Sequence, residues 1–213
     1  MVLRRHSLLV LFLAVITAPV AFGQAKDSPI QFAKLDGITT TFVPTPPNLG
    51  GTAGASGNPG QWLRVELHYG TTPNLKTKYL DAVEFKIIIE GLDPDAVNAT
   101  GGKGVAVGFT GDITYVNIPA GKDNYGVFYV HPSTLARYSP GGPDDFDRKY
   151  NIHVEASVGG TEMDWYDKRP EKDLDWYKVL KTIPGLVFRQ DQCPFVMADV
   201  DRYPAMKLPT SGQ

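Results

Sequence analysis

The sequence predicts an all-β fold, an antiparallel β-sandwich, on three observations. Several segments alternate apolar and polar residues with a period of two, the pattern of strands buried on one side only. Turn formers separate these segments, with 22 Gly and 17 Pro in 213 residues. No long amphipathic helices stand between the strands, as a parallel α/β sheet would require.

Leu63, Val65, Leu67 and Tyr69 share one face of the first clear strand, with Arg64, Glu66 and His68 on the other. In the second, Val83, Phe85, Ile87 and Ile89 point inward and Glu84, Lys86 and Glu90 outward. In the third, Tyr150, Ile152, Val154, Ala156 and Val158 face in, against Asn151, His153, Glu155 and Ser157. Sheets with one wet face pack against each other through the dry one. Further strands are predicted at Val105–Phe109, Ile113–Ile118 and Tyr125–Val130, the last central because both its faces are apolar. Gly111-Asp112 reads as a tight reversal between two of them. An early strand over Ile38–Val43 ends at Pro44, Pro46 and Pro47.

Seven to eight short strands divided by turns suggest a sandwich of immunoglobulin type, in architecture only, because the Cys–Trp–Cys core is missing. Two short helices are expected. Pro132–Tyr138 has Ser133 as N-cap candidate. Pro170–Thr182 opens with Pro170, Glu171 and Asp173, ends with Lys178 and Lys181, and carries a stripe of Leu174, Tyr177 and Leu180.

Residues 1–23 read as a signal peptide. Arg4 and Arg5 precede the apolar run Leu8–Val15, and Ala21-Phe22-Gly23 supplies small residues for cleavage. The run is too short for a permanent membrane span, so an exported product, periplasmic or at the cell surface and without a retained anchor, is expected. No Cys follows the run to take a lipid, and Leu3 and His6-Ser7 fit a twin-arginine signal poorly. Residues 24–60 would hold the N-terminal strand and a loose Gly-rich tether, Asn48–Gly60, and residues 61–213 the sandwich, all as one domain.

Arg4 and Arg5 leave with the leader, so 19 basic residues face 23 acidic ones, a net charge of −4. With no basic stripe, no nucleic-acid partner is expected. The single cysteine, Cys193, has no internal partner and reads as a buried small hydrophobe, with an intermolecular bridge as the alternative.

Candidate sites are few. Thr100-Gly101-Gly102-Lys103-Gly104 fails as a phosphate loop, because Val97 and Gly104 occupy positions needing Gly and a hydroxyl, and reads as a hairpin connection. Gly54-Ala55-Ser56-Gly57 lacks nucleophile-elbow spacing. His68 and His153, if on adjacent strands, would need further ligands to bind zinc. The Asp144, Asp145 and Asp147 loop reads as a solvated turn, with calcium binding left open. No catalytic residue, metal or cofactor is expected. The ligand-binding candidates are the aromatic pairs Trp165-Tyr166 and Trp176-Tyr177, which could stack on sugar rings or pack between helix and sheet.

The C-terminal third carries Asp175-Trp176-Tyr177, Ile183-Pro184-Gly185-Leu186, Pro194-Phe195 and Asp201-Arg202-Tyr203-Pro204-Ala205-Met206-Lys207. This pattern resembles the exported immunoglobulin-like proteins encoded beside type IV pilus genes in Verrucomicrobia such as Akkermansia. The strand run Trp62–Tyr69 followed by Leu80–Glu90 resembles that family's first half. The chain departs at Tyr177, where the family has a second Trp, and at Cys193, where it has Thr. The resemblance implies a non-catalytic pilus-associated or cell-surface component, acting through protein partners or self-association. Ile30–Val43 and the tether behind it could also donate a strand to a neighbour. The competing expectation is a glycan-binding sandwich using Trp165, Tyr166, Trp176 and Tyr177.

Overall fold

A computed structural model describes residues 30–46, 60–73, 78–97, 101, 103–139, 151–168 and 175–208. The leader, the tether over 48–59, the Asp144–Asp147 loop and residues 170–174 of the expected second helix lie outside the described residues. Ten strands are present among the described residues. In chain order they are β1 (Ile30–Pro44), β2 (Gln61–Pro73), β3 (Tyr79–Val97), β4 (Lys103–Pro119) and β5 (Gly121–Val130). After helix α1 (Pro132–Tyr138) come β6 (Ile152–Val158), β7 (Thr161–Lys168), β8 (Lys181–Pro184), β9 (Val187–Arg189) and β10 (Ala205–Met206).

They form two sheets, β1-β2-β5-β9 and β10-β4-β3-β6-β7, with β8 paired to β4 beside β10. The all-β sandwich is therefore the observed architecture, and every described pairing is antiparallel except β8 on β4. Between the sheets lie the predicted inward residues: Leu63, Val65, Leu67 and Tyr69 from β2, Phe85, Ile87 and Ile89 from β3, and Val154 and Ala156 from β6, all with no accessible surface. Close packing at this density makes the interior sensitive to single atoms. A Cβ on Gly91, for example, would stand 2.3 Å from the Phe109 ring.

β1 pairs with β2 of its own chain from Ile30↔Pro73 to Pro44↔Gln61. At the far edge of the other sheet, β7 turns its even residues toward β1. Asp164 Oδ2 accepts from the backbone N–H of Leu35 at 2.8 Å, and the Lys168 ammonium donates to the Thr40 hydroxyl. These contacts tie the two edges together and blunt both against stray pairing. On the opposite side, β8 covers β4 at Val107–Thr110 and β10 covers it at Tyr115–Val116.

Three expectations change. Gly111-Asp112 is no reversal: β4 runs straight through it, and Gly111 instead makes room for Val187 of β9, whose Cβ is 2.9 Å from where a Gly111 Cβ would sit. The second helix is absent from the described part of Pro170–Thr182. One 3-10 turn, Trp176–Val179, leads into β8, and it lays Tyr177 over His153 and Leu180 beside Gly108 on the outer face of the six-stranded sheet. The α1 N-cap is His131, two residues before the expected Ser133. Its Nδ1 accepts from Ser133 N at 3.1 Å, which leaves Pro132 at the first helical position, where no N–H is needed.

Candidate functional site

The outward residues of the two sheets meet different fates. On β2, Arg64, Glu66 and His68 stand beside Tyr129, Val127 and Tyr125 of β5. Residues 190–204 fold over this face. Phe195 stacks on Tyr129 with ring centroids 4.7 Å apart and meets Trp62 edge-on at 5.7 Å. Gln190 pins the covering turn by donating to the carbonyls of Phe195 and Ala198.

The Asp201-Arg202-Tyr203 segment closes the cover. Arg202 grips Glu66 through Nε (3.0 Å) and Nη2 (2.7 Å), and the Tyr203 hydroxyl donates to Glu66 Oε2 at 2.8 Å. Arg64 Nη2 reaches the same oxygen at 2.7 Å, and the Arg202 guanidinium lies 4.0 Å above the Tyr125 ring. Burial alone would raise the Glu66 carboxyl, but the hydrogen bonds from Arg202 and Tyr203 and the charge of Arg64 outweigh it and hold it below the usual range. Cys193 is buried beneath this cover, its thiol donating to the Gln190 carbonyl at 3.3 Å, and burial pushes that thiol up to about 11.

On the other sheet the outward positions around Lys86 stay open. Cross-strand register aligns Trp165 (β7), Glu155 (β6), Lys86 (β3) and Asp112 (β4) in one row. A groove of about 760 Å³ follows that face, lined by Glu84, Lys86, Asp112 and Glu155 and walled at the β4 side by Pro184-Gly185 and Arg189. The next row holds Asp167, His153, Ile88 and Thr110. His153 is only 2% exposed. Its Nδ1 donates to Asp167 Oδ1 at 2.7 Å, its Nε2 lies 3.3 Å from Glu155 Oε1, and the Tyr177 ring stacks on it at 3.6 Å. The outward face of β6 is thus wet at Glu155 but sealed at His153.

Of the four aromatic candidates, the structure brings two together. Trp165 is 45% exposed and lies 6.1 Å from His153, and Tyr177 covers the same imidazole. Tyr166 faces inward against the core, and Trp176 is buried. His68 and His153 occupy the outer faces of opposite sheets, so they are not a shared zinc pair. Among the described residues no group of three or more His, Cys, Asp or Glu is placed to hold a metal ion, and no helix is long and apolar enough to cross a membrane. Sequence reasoning missed the row Glu155–Lys86–Asp112 because register between strands distant in sequence is set by packing; Glu155 and Lys86 are visible as outward positions, whereas Asp112 reads as part of a reversal.

The fold and its faces define the class: an all-β sandwich with one outer sheet face sealed by its own chain and the other open as a groove. The chain belongs to the family whose model matches residues 24–210. A crystal structure of a protein from Akkermansia muciniphila is similar, with 20% identity and a TM-score of 0.67 over 85% of this chain and 95% of that one. At that identity the likeness establishes the shared fold. No curated protein matches the chain.

Proposed function

We propose that this chain is a non-catalytic, exported structural and interaction protein, a pilus-associated or cell-surface component of immunoglobulin type that works through protein contacts. The observation that carries this reading is the apolar surface of the covering segment. Val196, Met197 and Val200 are 46%, 81% and 53% exposed on a turn that is itself firmly anchored by Gln190 and the Glu66 clasp. Large apolar side chains held outward on a rigid support suit a protein partner. The leader-like residues 1–23 and the family resemblance of the C-terminal motifs point to the same place in the cell.

The test is to shear surface appendages from the producing cell and identify the chain by mass spectrometry, with and without Met197→Glu. Recovery of the processed chain with the appendages, lost in the variant, is the expected result. Retention of an unprocessed chain in the cytoplasm would overturn the reading.

A further inference from the structure

We propose that the groove on the six-stranded sheet binds a neutral oligosaccharide of about three sugar units, a site separate from the protein-contact surface proposed above. The row Trp165–Glu155–Lys86–Asp112 crosses four strands, about 14 Å at the usual spacing of about 4.8 Å between neighbours. The half-exposed Trp165 indole stands one strand beyond the groove-lining Glu155, and the Pro184-Gly185 turn walls the groove on the β4 side.

Between these limits the floor offers carboxylates that accept from hydroxyls, with an ammonium, Lys86, that donates to them. Trp165 provides a flat apolar plate for a sugar face. It sits beside His153, which Asp167, Glu155 and Tyr177 hold in place, so little ordering is left for binding to supply.

Two competing ligand classes fit poorly. An extended peptide binds sheets by adding main-chain hydrogen bonds at an edge, but the groove lies on a face whose central strands, β3 and β6, are paired on both sides. An anionic glycan would meet Glu84, Asp112 and Glu155 with Lys86 as the opposing charge, because Arg189 is already engaged by Asp191 at 2.8 Å.

The intact chain reports on its own site. Trp62 and Trp176 are buried, so Trp165 dominates quenching by iodide. Cellotriose, maltotriose, tri-N-acetylchitotriose and 3′-sialyllactose are titrated while fluorescence and heat are followed. At least one neutral trisaccharide is expected to shield Trp165 from iodide, and the sialylated one is not. Lys86→Ala should weaken that binding about tenfold, equivalent to about 1.4 kcal/mol, and Trp165→Ala should abolish its heat, both at unchanged melting temperature. Met197→Glu, on the opposite face, should bind normally even if it abolishes appendage association. The proposal is overturned if no neutral trisaccharide binds, if the sialylated probe binds as well, if a lysine-rich peptide displaces the sugar, or if both groove variants bind normally.

Discussion

On the four-stranded sheet, Arg64, Glu66, Tyr125 and Tyr129 lie beneath residues 190–204, whereas on the six-stranded sheet Glu84, Lys86, Asp112 and Glu155 border an open groove. Arg64 and Glu66, like Glu84, Lys86 and Glu155, occupy the polar half of a period-two pattern, and only the apolar outward residues of β5 beside them hint at a cover. The difference comes from chain far away: Tyr203 meets Glu66 across 137 residues of sequence. A polar face is therefore wet only when no later segment carries the complementary aromatic and guanidinium groups to cover it.

That contrast can be broken from either side. Phe195→Ala removes the ring stacked on Tyr129 and should cost about 3–5 kcal/mol in chemical denaturation, as for a core aromatic. A cost near that of a surface change would show the cover to be loosely attached. Sealing also protects Cys193. With its thiol pushed up to about 11, alkylation at pH 8 should run roughly two orders of magnitude slower than for an ordinary thiol of about 8.5 and recover on denaturation.

Glu66→Gln, which leaves two guanidinium groups short of a partner, should cost about 1–3 kcal/mol. Because the folded carboxyl titrates below its unfolded value, its stabilisation is present above the ordinary carboxylate range of about 4.3 and is lost as pH falls through the lower folded value. Denaturation midpoints of wild type and Glu66→Gln should converge below about pH 4 and separate above it. On the open sheet the effects shrink: Lys86→Ala and Trp165→Ala should each change stability by less than about 0.5 kcal/mol. A large loss there would mean that the groove face is structural.

The long strands were legible because one-sided burial writes itself into alternation, and β2, β3 and β6 follow it with Leu63, Phe85 and Val154 inward. β8, β9 and β10 are four, three and two residues long, too short to carry a period, and they exist through pairing with β4 and β5. The expected helix failed for a related reason. Spacing by three suggests a helical stripe, and Tyr177 and Leu180 do share one surface, against His153 and Gly108 on the outer face of the six-stranded sheet, but Lys181–Pro184 pairs with β4 as a strand and leaves only a 3-10 turn before it. Of the aromatic pairs, alternation along β7 separates Trp165 from Tyr166, a distinction available only once that strand is recognised. The Asp201-Arg202-Tyr203 motif stands out in the sequence only by resemblance, because its physical role depends on Glu66, a partner more than 130 residues away.

The two-residue strand β10 and the arginine–tyrosine grip just before it are the last parts of the described chain to be synthesised. A polypeptide still emerging from its ribosome or threading a narrow pore has Tyr115 and Val116 with a bare flank, and a carboxylate at position 66 with no cation from residue 202. The outer cover of the four-stranded sheet and the β10 flank of β4 are therefore completed after the strands they lie on, once residues 202–206 are free to reach them.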